Sequence, residues 1–361
     1  MQHFDVVVAG LGPVGALLAA RLGAAGATVL AVDALPEVVS VPRAVAADDE
    51  VQELLARTGP GLVEPMRHDV PVRFVGRAPL GEVRFPRSAA GFCGLAFFHQ
   101  PTLEAGLRAL LGPVDVRLAT TLTGVTQDGS GVTAHLGAPD GPAELDRVRA
   151  DWLVGCDGAG STVRRQAGLG WLGRDLPHRW LVADVVGEAD RPAFTYTCDP
   201  ARPTVDMPVP GGHRWEWLLR GPVVPDARSL VPAGLPVVRQ VVYRFGARRA
   251  SSWRSGRVLL AGDAAHTMPP FAGQGLGAGL RDAWALAALL QAGDPSPYER
   301  LRAPHVREMT RLSLLLGGLL QAEHGSAVRD LLLATAFRSP GLGPWLSRGG
   351  PRRPASGVLE L

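Results

Sequence analysis

The sequence lacks lysine, asparagine and isoleucine altogether, so all 37 of its basic residues are arginine. Any mechanism that depends on a catalytic lysine is therefore excluded. The formal charge of +3 is small, and the arginines are scattered along the chain apart from a few short pairs. This distribution predicts that nucleic acid is not a partner.

Cysteine is also scarce, with only Cys93, Cys156 and Cys198. The three are far apart and odd in number, so they match neither a zinc spacing nor a disulfide framework. We expect reduced core thiols and no metal site.

Long hydrophobic runs are missing as well. The apolar stretch at residues 312–320 is well short of the roughly 20 residues that a membrane-spanning helix needs. No basic region precedes the first apolar run at residues 4–8, so no signal peptide is predicted. We therefore expect a cytoplasmic protein with no membrane partner.

The most informative stretch lies between residues 257 and 281. The chain has 361 residues, of which 46% are hydrophobic, so it can bury a full core. Within this stretch, residues 258–261 predict a buried parallel strand that ends at Gly262 and Asp263. Two prolines and a series of glycines then lead into an apolar helix at residues 280–290. Free N–H groups at such a helix start favour a flat or anionic ligand. The alternative is an ordinary strand-loop-helix connection.

The amino-terminal region predicts a nucleotide site. Residues 6–9 read as a buried strand, Gly10, Gly12 and Gly15 follow at once, and a helix at residues 16–23 leads to a second strand that ends at Asp33. In this order, the glycines lie next to a pyrophosphate, the start of the helix stabilises the negative charge of that group, and the acid binds a ribose hydroxyl. The pattern predicts an ADP moiety but leaves FAD and NAD as alternatives.

Other polar residues stand at the ends of predicted elements. Arg43 is a candidate phosphate or ribose contact, or a surface arginine. Gln100 starts the helix at residues 102–111, where it reaches a cofactor or caps the helix. Asp157 follows a strand at residues 152–156, so with Asp33 and Asp263 three strand ends present an acid. We take this as a sign of one large ligand.

The middle of the chain predicts a second sheet with a substrate pocket. Short strands alternate with proline and glycine from about residue 172 to 243, and Trp215 and Trp217 share one face of a strand by period two. These tryptophans form a pocket floor for a flat substrate or belong to the core. The predicted pocket residues are Tyr196, Met207, His213, Trp215, Trp217 and Phe271.

Residues 298–320 predict a helix interrupted at Pro304 and at residues 317–318, and residues 341–361 predict a loose tail.

Together, these motifs resemble a known family over residues 1 to about 310. The glycines with Asp33, the run of residues 156–158 and above all GRVLLAGDAAHTMPPFAGQGLGAGLRDAW resemble the FAD-dependent aromatic hydroxylases of the para-hydroxybenzoate hydroxylase type. The likeness is nearest to 3-(3-hydroxyphenyl)propionate hydroxylases and polyketide-tailoring hydroxylases. The motifs that carry this second likeness are Pro42-Arg43-Ala44, Phe98-His99-Gln100-Pro101, Arg214-Trp215-Glu216, Tyr243-Arg244-Phe245, and Tyr298-Glu299-Arg300 with Pro304-His305.

The resemblance implies an α/β fold, with a Rossmann-like FAD-binding domain of the GR2 type, an inserted mixed or antiparallel β-sheet substrate domain and carboxy-terminal helices. The implied domains are residues 1–170 for the first part of the FAD-binding domain, 171–249 for the substrate domain, 250–335 for the second part with helices, and 336–361 for the tail. We expect no thioredoxin-like domain at the carboxy-terminal end. Leu276-Gly277 stands where subgroup members often carry Met-Asn, so one side-chain contact is missing.

The resemblance also implies the roles of individual residues. The glycines approach the pyrophosphate, and Asp33 approaches the AMP ribose. The phosphate-ribityl region is contacted by Arg43 and Gln100. Asp157 contacts the pyrophosphate region and takes part in transient NAD(P)H binding. Asp263 binds the ribityl chain or pyrophosphate. The implied cofactor-binding residues are Gly10, Gly12, Pro13, Val14, Gly15, Asp33, Arg43, Gln100, Leu122, Asp157, Gly262, Asp263, Pro270, Gly273, Gly275, Leu276 and Gly277.

The implied function is an FAD monooxygenase that uses NAD(P)H and O2 to hydroxylate an aromatic or polyketide-like molecule through a C4a-hydroperoxyflavin. No side chain is assigned a catalytic role, because the flavin carries the chemistry. The alternatives are a flavin oxidase or dehydrogenase, or a catalytically silent flavin-binding partner protein. A flavin halogenase would lack its lysine. We expect a monomer or homodimer.

Overall fold

Two large β-sheets flanked by helices form the structure, a computed structural model that describes residues 1–40, 42–141, 146–187, 191–348 and 356–361. The strands within these ranges are β1 His3–Ala9, β2 Val29–Val32, β3 Ala46–Ala47, β4 Val72–Val75, β5 Pro79–Val83, β6 Ala96–Phe97, β7 Asp115–Arg117, β8 Thr121–Gln127, β9 Val132–Gly137, β10 Asp146–Gly155, β11 Trp171–Val186, β12 Phe194–Thr197, β13 Thr204–Val209, β14 Gly212–Leu219, β15 Val237–Ala250, β16 Arg254–Ser255, β17 Val258–Leu260 and β18 His266–Thr267. The helices are α1 Pro13–Ala24, α2 Asp49–Thr58, α3 Gln100–Ala109, α4 Thr162–Gln166, α5 Gly275–Gln291, α6 Tyr298–Gln321, α7 Ser326–Arg338 and α8 Gly343–Leu346.

The first sheet carries the predicted nucleotide-binding arrangement. Its strand order is β16-β17-β10-β1-β2-β7, and β17, β10, β1, β2 and β7 run parallel. The apolar runs of β1, β2 and β17 are almost wholly buried, as expected of strands covered on both faces. The carboxyl ends of β1, β2, β10 and β17 therefore meet at one edge, which confirms the parallel strands predicted from their sequences. The antiparallel strands β8 and β9 continue the sheet from the first half of β10.

The second sheet has the order β18-β15-β11-β14-β13-β12-β4-β5. Neighbouring strands are antiparallel except for β12 and β4, so the predicted mixed character is confirmed. Strands β4, β5 and β18 lie outside residues 171–249, so this sheet gathers chain segments from both sides of the proposed substrate domain. One face packs on aromatic and aliphatic residues that include Trp180, Tyr196 and Phe271. The opposite face packs on a separate cluster around Leu181 and Ala227.

Helix α6 runs without a break from Tyr298 to Gln321 through Pro304 and Gly317, so the predicted interruptions are wrong. Glycine occupies position 317 because of packing against a neighbouring side chain, and it does not end the helix. A Cβ atom at this position would lie 2.4 Å from Cδ2 of Phe271, so only glycine admits the ring. No helix within the described ranges is both long enough and apolar enough to cross a bilayer.

The predicted loose tail at residues 341–361 is wrong for the described residues of that range. Helix α7 continues to Arg338, and α8 follows after a short turn. The last described segment returns to the nucleotide domain, where Ser356 Oγ donates a hydrogen bond of 2.5 Å to Glu50 Oε1 and Val358 is fully buried. These contacts are distant in sequence and leave no periodic signal. Residues 349–355 of the predicted tail lie outside the described residues.

A buried arginine ties α5 to the start of α2. Arg281 is only 3% exposed, and its guanidinium donates to Asp48 at 2.7 Å and to Glu50 at 2.5 Å. Asp48 also accepts the backbone N–H of Val51 and so caps α2. Burial alone lowers the pKa of Arg281, but the two carboxylates outweigh it and raise the pKa. The pair thus fixes the orientation of α5 on the nucleotide domain.

We expect Arg281→Leu to lower the free energy of unfolding by about 3–5 kcal/mol, because it leaves buried carboxylates without their cation. Arg300→Leu removes an exposed arginine and serves as the control. Urea denaturation followed by circular dichroism measures both. Similar midpoints for the two variants would show that the buried pair contributes little.

Candidate cofactor and substrate site

A large cavity of about 1480 Å³ lies between the carboxyl edge of the first sheet and one face of the second. This volume exceeds the roughly 300–1,000 Å³ of a typical small-molecule pocket. The cavity is lined by the turn after β1, the end of β2, strands β12 to β14 and the inner side of α6. It therefore has room for a dinucleotide and, beside it, a second small molecule.

Most of the predicted cofactor residues line this cavity. Two do not: a Cβ atom at Gly15 would lie 1.8 Å from the carbonyl oxygen of Gly10, and one at Gly277 would lie 3.1 Å from Val51. Both glycines permit close packing instead of facing a ligand. The predicted residues that line the cavity are Gly10, Gly12, Pro13, Val14, Asp33, Arg43, Gln100, Leu122, Asp157, Gly262, Asp263, Pro270, Gly273, Gly275 and Leu276. Their individual contacts with a cofactor stay predictions.

The turn between β1 and α1 forms an open cradle. Gly10 has a φ of +98°, and a Cβ atom there would lie 2.6 Å from the carbonyl oxygen of Cys156. Gly12 caps α1 without a side-chain hydrogen bond, and an added Cβ atom would meet no protein atom within 4 Å. Pro13 occupies the first helical turn, where its missing N–H costs nothing. The remaining N–H groups at the start of α1 suit a phosphate.

Asp33 at the end of β2 is fixed by the backbone. Its carboxylate accepts the N–H of Leu11 at 2.6 Å and that of Leu35 at 2.8 Å. Arg108 lies 3.6 Å away and Asp33 borders the cavity. A carboxylate held in this way has lone pairs left for the hydroxyl groups of a ribose. The glycine cradle and this acid together fit the adenosine diphosphate half of a dinucleotide.

Asp263 follows β17 and opens into the cavity. The protein walls around it limit its hydration and raise the pKa of its carboxyl, while His266 and Arg43 partly offset this shift. A carboxyl group at this position is suited to hydrogen bonds with ligand hydroxyl groups. Asp157 has a different setting: it accepts hydrogen bonds from Ser161 and from the N–H of Thr162, so it also fixes the start of α4.

The start of α5 is free of side-chain caps. Gln274 occupies the cap position and makes no capping hydrogen bond, and Gly275 and Leu276 line the cavity. Helix α5 thus begins at Gly275, five residues earlier than predicted. Its first-turn N–H groups and its dipole favour negative charge in the cavity. A reduced flavin, which is an anion, fits this position.

A segment at residues 42–44 is clamped between the two sheets. Gln100 Oε1 accepts the N–H groups of Arg43 and Ala44 at 2.8 Å each, so this side chain holds the segment and does not cap α3. On the other side, Arg214 and Arg239 each donate to the carbonyl oxygen of Pro42 at 2.6 Å. These two guanidinium groups are held by one carboxylate that sequence reasoning missed, Asp184 of β11. Only the strand pairing brings Asp184 opposite Arg214, so the sequence carries no signal for it.

A second buried network was missed around Asp282 of α5. Its carboxylate accepts the N–H of Gly262 at 3.2 Å and the Nε of Arg302 at 2.9 Å, and His266 Nε2 lies 2.6 Å away. Burial raises the pKa of Asp282, but His266 and Arg302 more than compensate and lower it. Burial lowers the pKa of the adjacent His305 to about 4, and Arg302 adds to the effect. Asp282 stands inside the quoted motif, so its position in that run was the available signal.

The six residues predicted to form the substrate pocket fall into two groups, and their contact with a substrate stays a prediction. Tyr196, Met207 and Phe271 line the cavity, but His213, Trp215 and Trp217 do not. The two tryptophans share a face, as predicted, yet that face packs on the cluster around Leu181 on the far side of the sheet. His213 is buried on the same side as the tryptophans, 3.2 Å from Asp206. Period two alone does not say which face of a strand meets a cavity.

The alternate residues of β14 face the cavity instead. Arg214 and Glu216 line it, and they alternate along the strand with His213, Trp215 and Trp217, which were predicted to do so. Both stand in the motif Arg214-Trp215-Glu216, so the sequence contained the segment but not its orientation. The remaining wall is apolar and rich in aromatic rings, since it includes Phe74, Tyr196 and Phe271.

The comparison with known families identifies the class. The chain belongs to the FAD binding domain family, whose model matches residues 3–210 and 232–313. This match confirms the predicted FAD-binding domain, and it decides the choice between FAD and NAD that the motifs left open in favour of FAD.

Particular relatives are hydroxylases by name. The 3-(3-hydroxy-phenyl)propionate/3-hydroxycinnamic acid hydroxylase of Klebsiella pneumoniae is 35% identical over 372 residues, which cover 91% of this chain and 65% of that protein. The protein of the same name from Mycolicibacterium smegmatis is 34% identical, with 94% and 65% covered. This chain thus spans about 65% of the length of these curated relatives.

Solved structures share the fold. The p-nitrophenol 4-monooxygenase of Pseudomonas putida superposes with a TM-score of 0.84 over 98% of this chain and 100% of that one, at 24% identity. A ternary complex of aklavinone-11 hydroxylase with FAD and aklavinone has a TM-score of 0.76 and 29% identity, with 91% of this chain and 71% of that one covered. The predicted fold class is therefore confirmed.

The two glycines of the cradle predict opposite results. We expect Gly12→Ala to weaken FAD binding about tenfold or more, because the methyl group enters the cavity where the backbone meets the cofactor. The apoprotein should lose less than about 1 kcal/mol, since no protein atom is near. Gly15→Ala should instead destabilise the apoprotein by about 1–3 kcal/mol through its contact with Gly10.

Fluorescence titration with FAD and thermal unfolding of the apoproteins separate these effects. Equal loss of apoprotein stability in both variants would contradict the assignment of Gly12 to the cofactor surface.

Proposed function

We propose that this protein is an FAD-dependent monooxygenase that uses NAD(P)H and O2 to hydroxylate an aromatic or polyketide-like small molecule. The observation that carries the proposal is that one continuous cavity joins the glycine cradle to an apolar wall of aromatic rings. The relatives named as hydroxylases support the reaction type, and the aklavinone complex supports a polycyclic substrate class.

FAD, when bound, accepts electrons from NAD(P)H and activates O2 at its C4a position. The protein contributes position and environment. The uncapped start of α5 stabilises negative charge next to the flavin, and Asp282 holds the turn that carries Asp263. The apolar wall orients a ring and excludes water, which otherwise diverts activated oxygen to hydrogen peroxide.

The purified protein should release FAD on denaturation, and FAD-loaded protein should consume O2 when NAD(P)H and a suitable phenol are added together. The probes are 3-(3-hydroxyphenyl)propionate, p-nitrophenol and a polycyclic phenol, and mass spectrometry tests for a product that has gained one oxygen atom. Product formed per NAD(P)H oxidised measures coupling. Recovery of FMN alone, or NAD(P)H oxidation that yields only hydrogen peroxide with every probe, would count against a monooxygenase.

We expect Asp263→Ala to weaken FAD binding about tenfold or more, because the carboxyl opens into the cavity and serves the ligand. The melting temperature of the apoprotein should change little. Asp140→Ala, which removes an exposed acid that does not line the cavity, is the control for a charge change. A parallel loss of FAD binding and of apoprotein stability would assign Asp263 to folding.

A further inference from the structure

Glu216 is the acidic side chain on the apolar wall that the second sheet presents to the cavity. It lies on β14 between Val182 of β11 and Val205 of β13, its partners across the two neighbouring strands. It is half-buried and lines the cavity. Its carboxyl group has no hydrogen-bond partner among the described residues.

The neighbouring Arg214 is committed elsewhere. Its guanidinium donates to both carboxylate oxygens of Asp184, at 2.6 and 3.0 Å, and to the carbonyl oxygens of Pro42 and Arg43, at 2.6 and 3.2 Å. This arginine is therefore part of the clamp on residues 42–44 rather than a partner of Glu216. It is also not free to bind an anionic group of a substrate.

A carboxyl group on a dry wall is costly unless a donor reaches it. Burial is the largest influence on the pKa of Glu216 and raises it. Arg214 and Arg239 lower this pKa and Asp184 raises it, but burial dominates and the net shift is upward. The group has acceptor oxygens whatever its protonation state. Around it the cavity offers Val205, Met207 and Tyr196, which form a surface for a flat apolar body.

We propose that Glu216 anchors the substrate by accepting a hydrogen bond from a hydroxyl or N–H group on its aromatic body. The inference rests on the proposed function and narrows its substrate class: the part of the substrate that reaches the inner wall is a hydrogen-bond donor, such as a phenol, and not a carboxylate. A carboxylate there would face the carboxyl group of Glu216, and the nearby guanidinium groups of Arg214 and Arg239 are already held by Asp184 and Pro42.

Two matched probes test the anchor without turnover. 1-Naphthol and 1-methoxynaphthalene share the ring system, but only the first has a donor. Isothermal titration of each into FAD-loaded protein, with NAD(P)H absent, gives the ratio of their dissociation constants. We expect the wild-type protein to bind 1-naphthol about tenfold more tightly or better, as for one added hydrogen bond to a half-buried acceptor.

In Glu216→Leu this ratio should fall to about one, because the leucine side chain accepts no hydrogen bond. In Glu216→Gln part of the preference should remain, since the amide oxygen still accepts. Glu308→Gln changes an exposed glutamate that also lines the cavity, and it should keep the wild-type ratio.

An unchanged ratio in Glu216→Leu would overturn the proposal. If that variant does not fold or bind FAD, the wild-type protein decides: equal affinity for the two probes, or binding of neither, overturns it as well. Failure of the proposed function has a different signature, namely preferential binding of 1-naphthol with no oxygenated product from any phenol.

Discussion

The buried carboxylate of Asp282 is the interaction on which the rest of the site depends. It has no exposed surface, and it joins three elements: the turn after β17 through Gly262, the imidazole of His266, and α6 through Arg302. A buried charge with several donors strongly resists the loss of any one of them. The network therefore holds the end of the parallel sheet against two helices, and the turn with Asp263 keeps its place at the cavity.

A second carboxylate, that of Asp184, holds the opposite wall of the cavity in place. Arg214 and Arg239 converge on it from two strands of the second sheet, and both also hold Pro42 of the nucleotide domain. Gln100 of α3 holds the same segment from its other side. The distance between the carboxyl edge of the first sheet and the apolar wall of the second is thus set by hydrogen bonds to one short segment, including charge-assisted ones, rather than by apolar packing alone.

This construction explains why the cavity has two chemically different ends. Polar backbone and acids meet at the carboxyl ends of the parallel strands, where a dinucleotide is expected. The second sheet contributes valine, methionine and aromatic side chains, with Glu216 among them. A flavin placed across the junction would have its charged half in the polar end and its ring system next to the apolar wall. The family to which the chain belongs fits this division.

The sequence by itself determined the nucleotide cradle, because its parts are close along the chain. The glycines of the first turn, Asp33 at the end of β2 and Asp263 after β17 follow from short-range spacing, and the parallel strands follow from continuous apolar runs. Only the tertiary structure decided which face of β14 meets the cavity. Alternation shows that Trp215 and Trp217 point the same way, but the packing of whole sheets places them in the far core and turns Glu216 inward. The tertiary structure likewise decided the partners of Asp184 and the burial of Val358, because these contacts join segments that are distant along the chain and no local pattern encodes them.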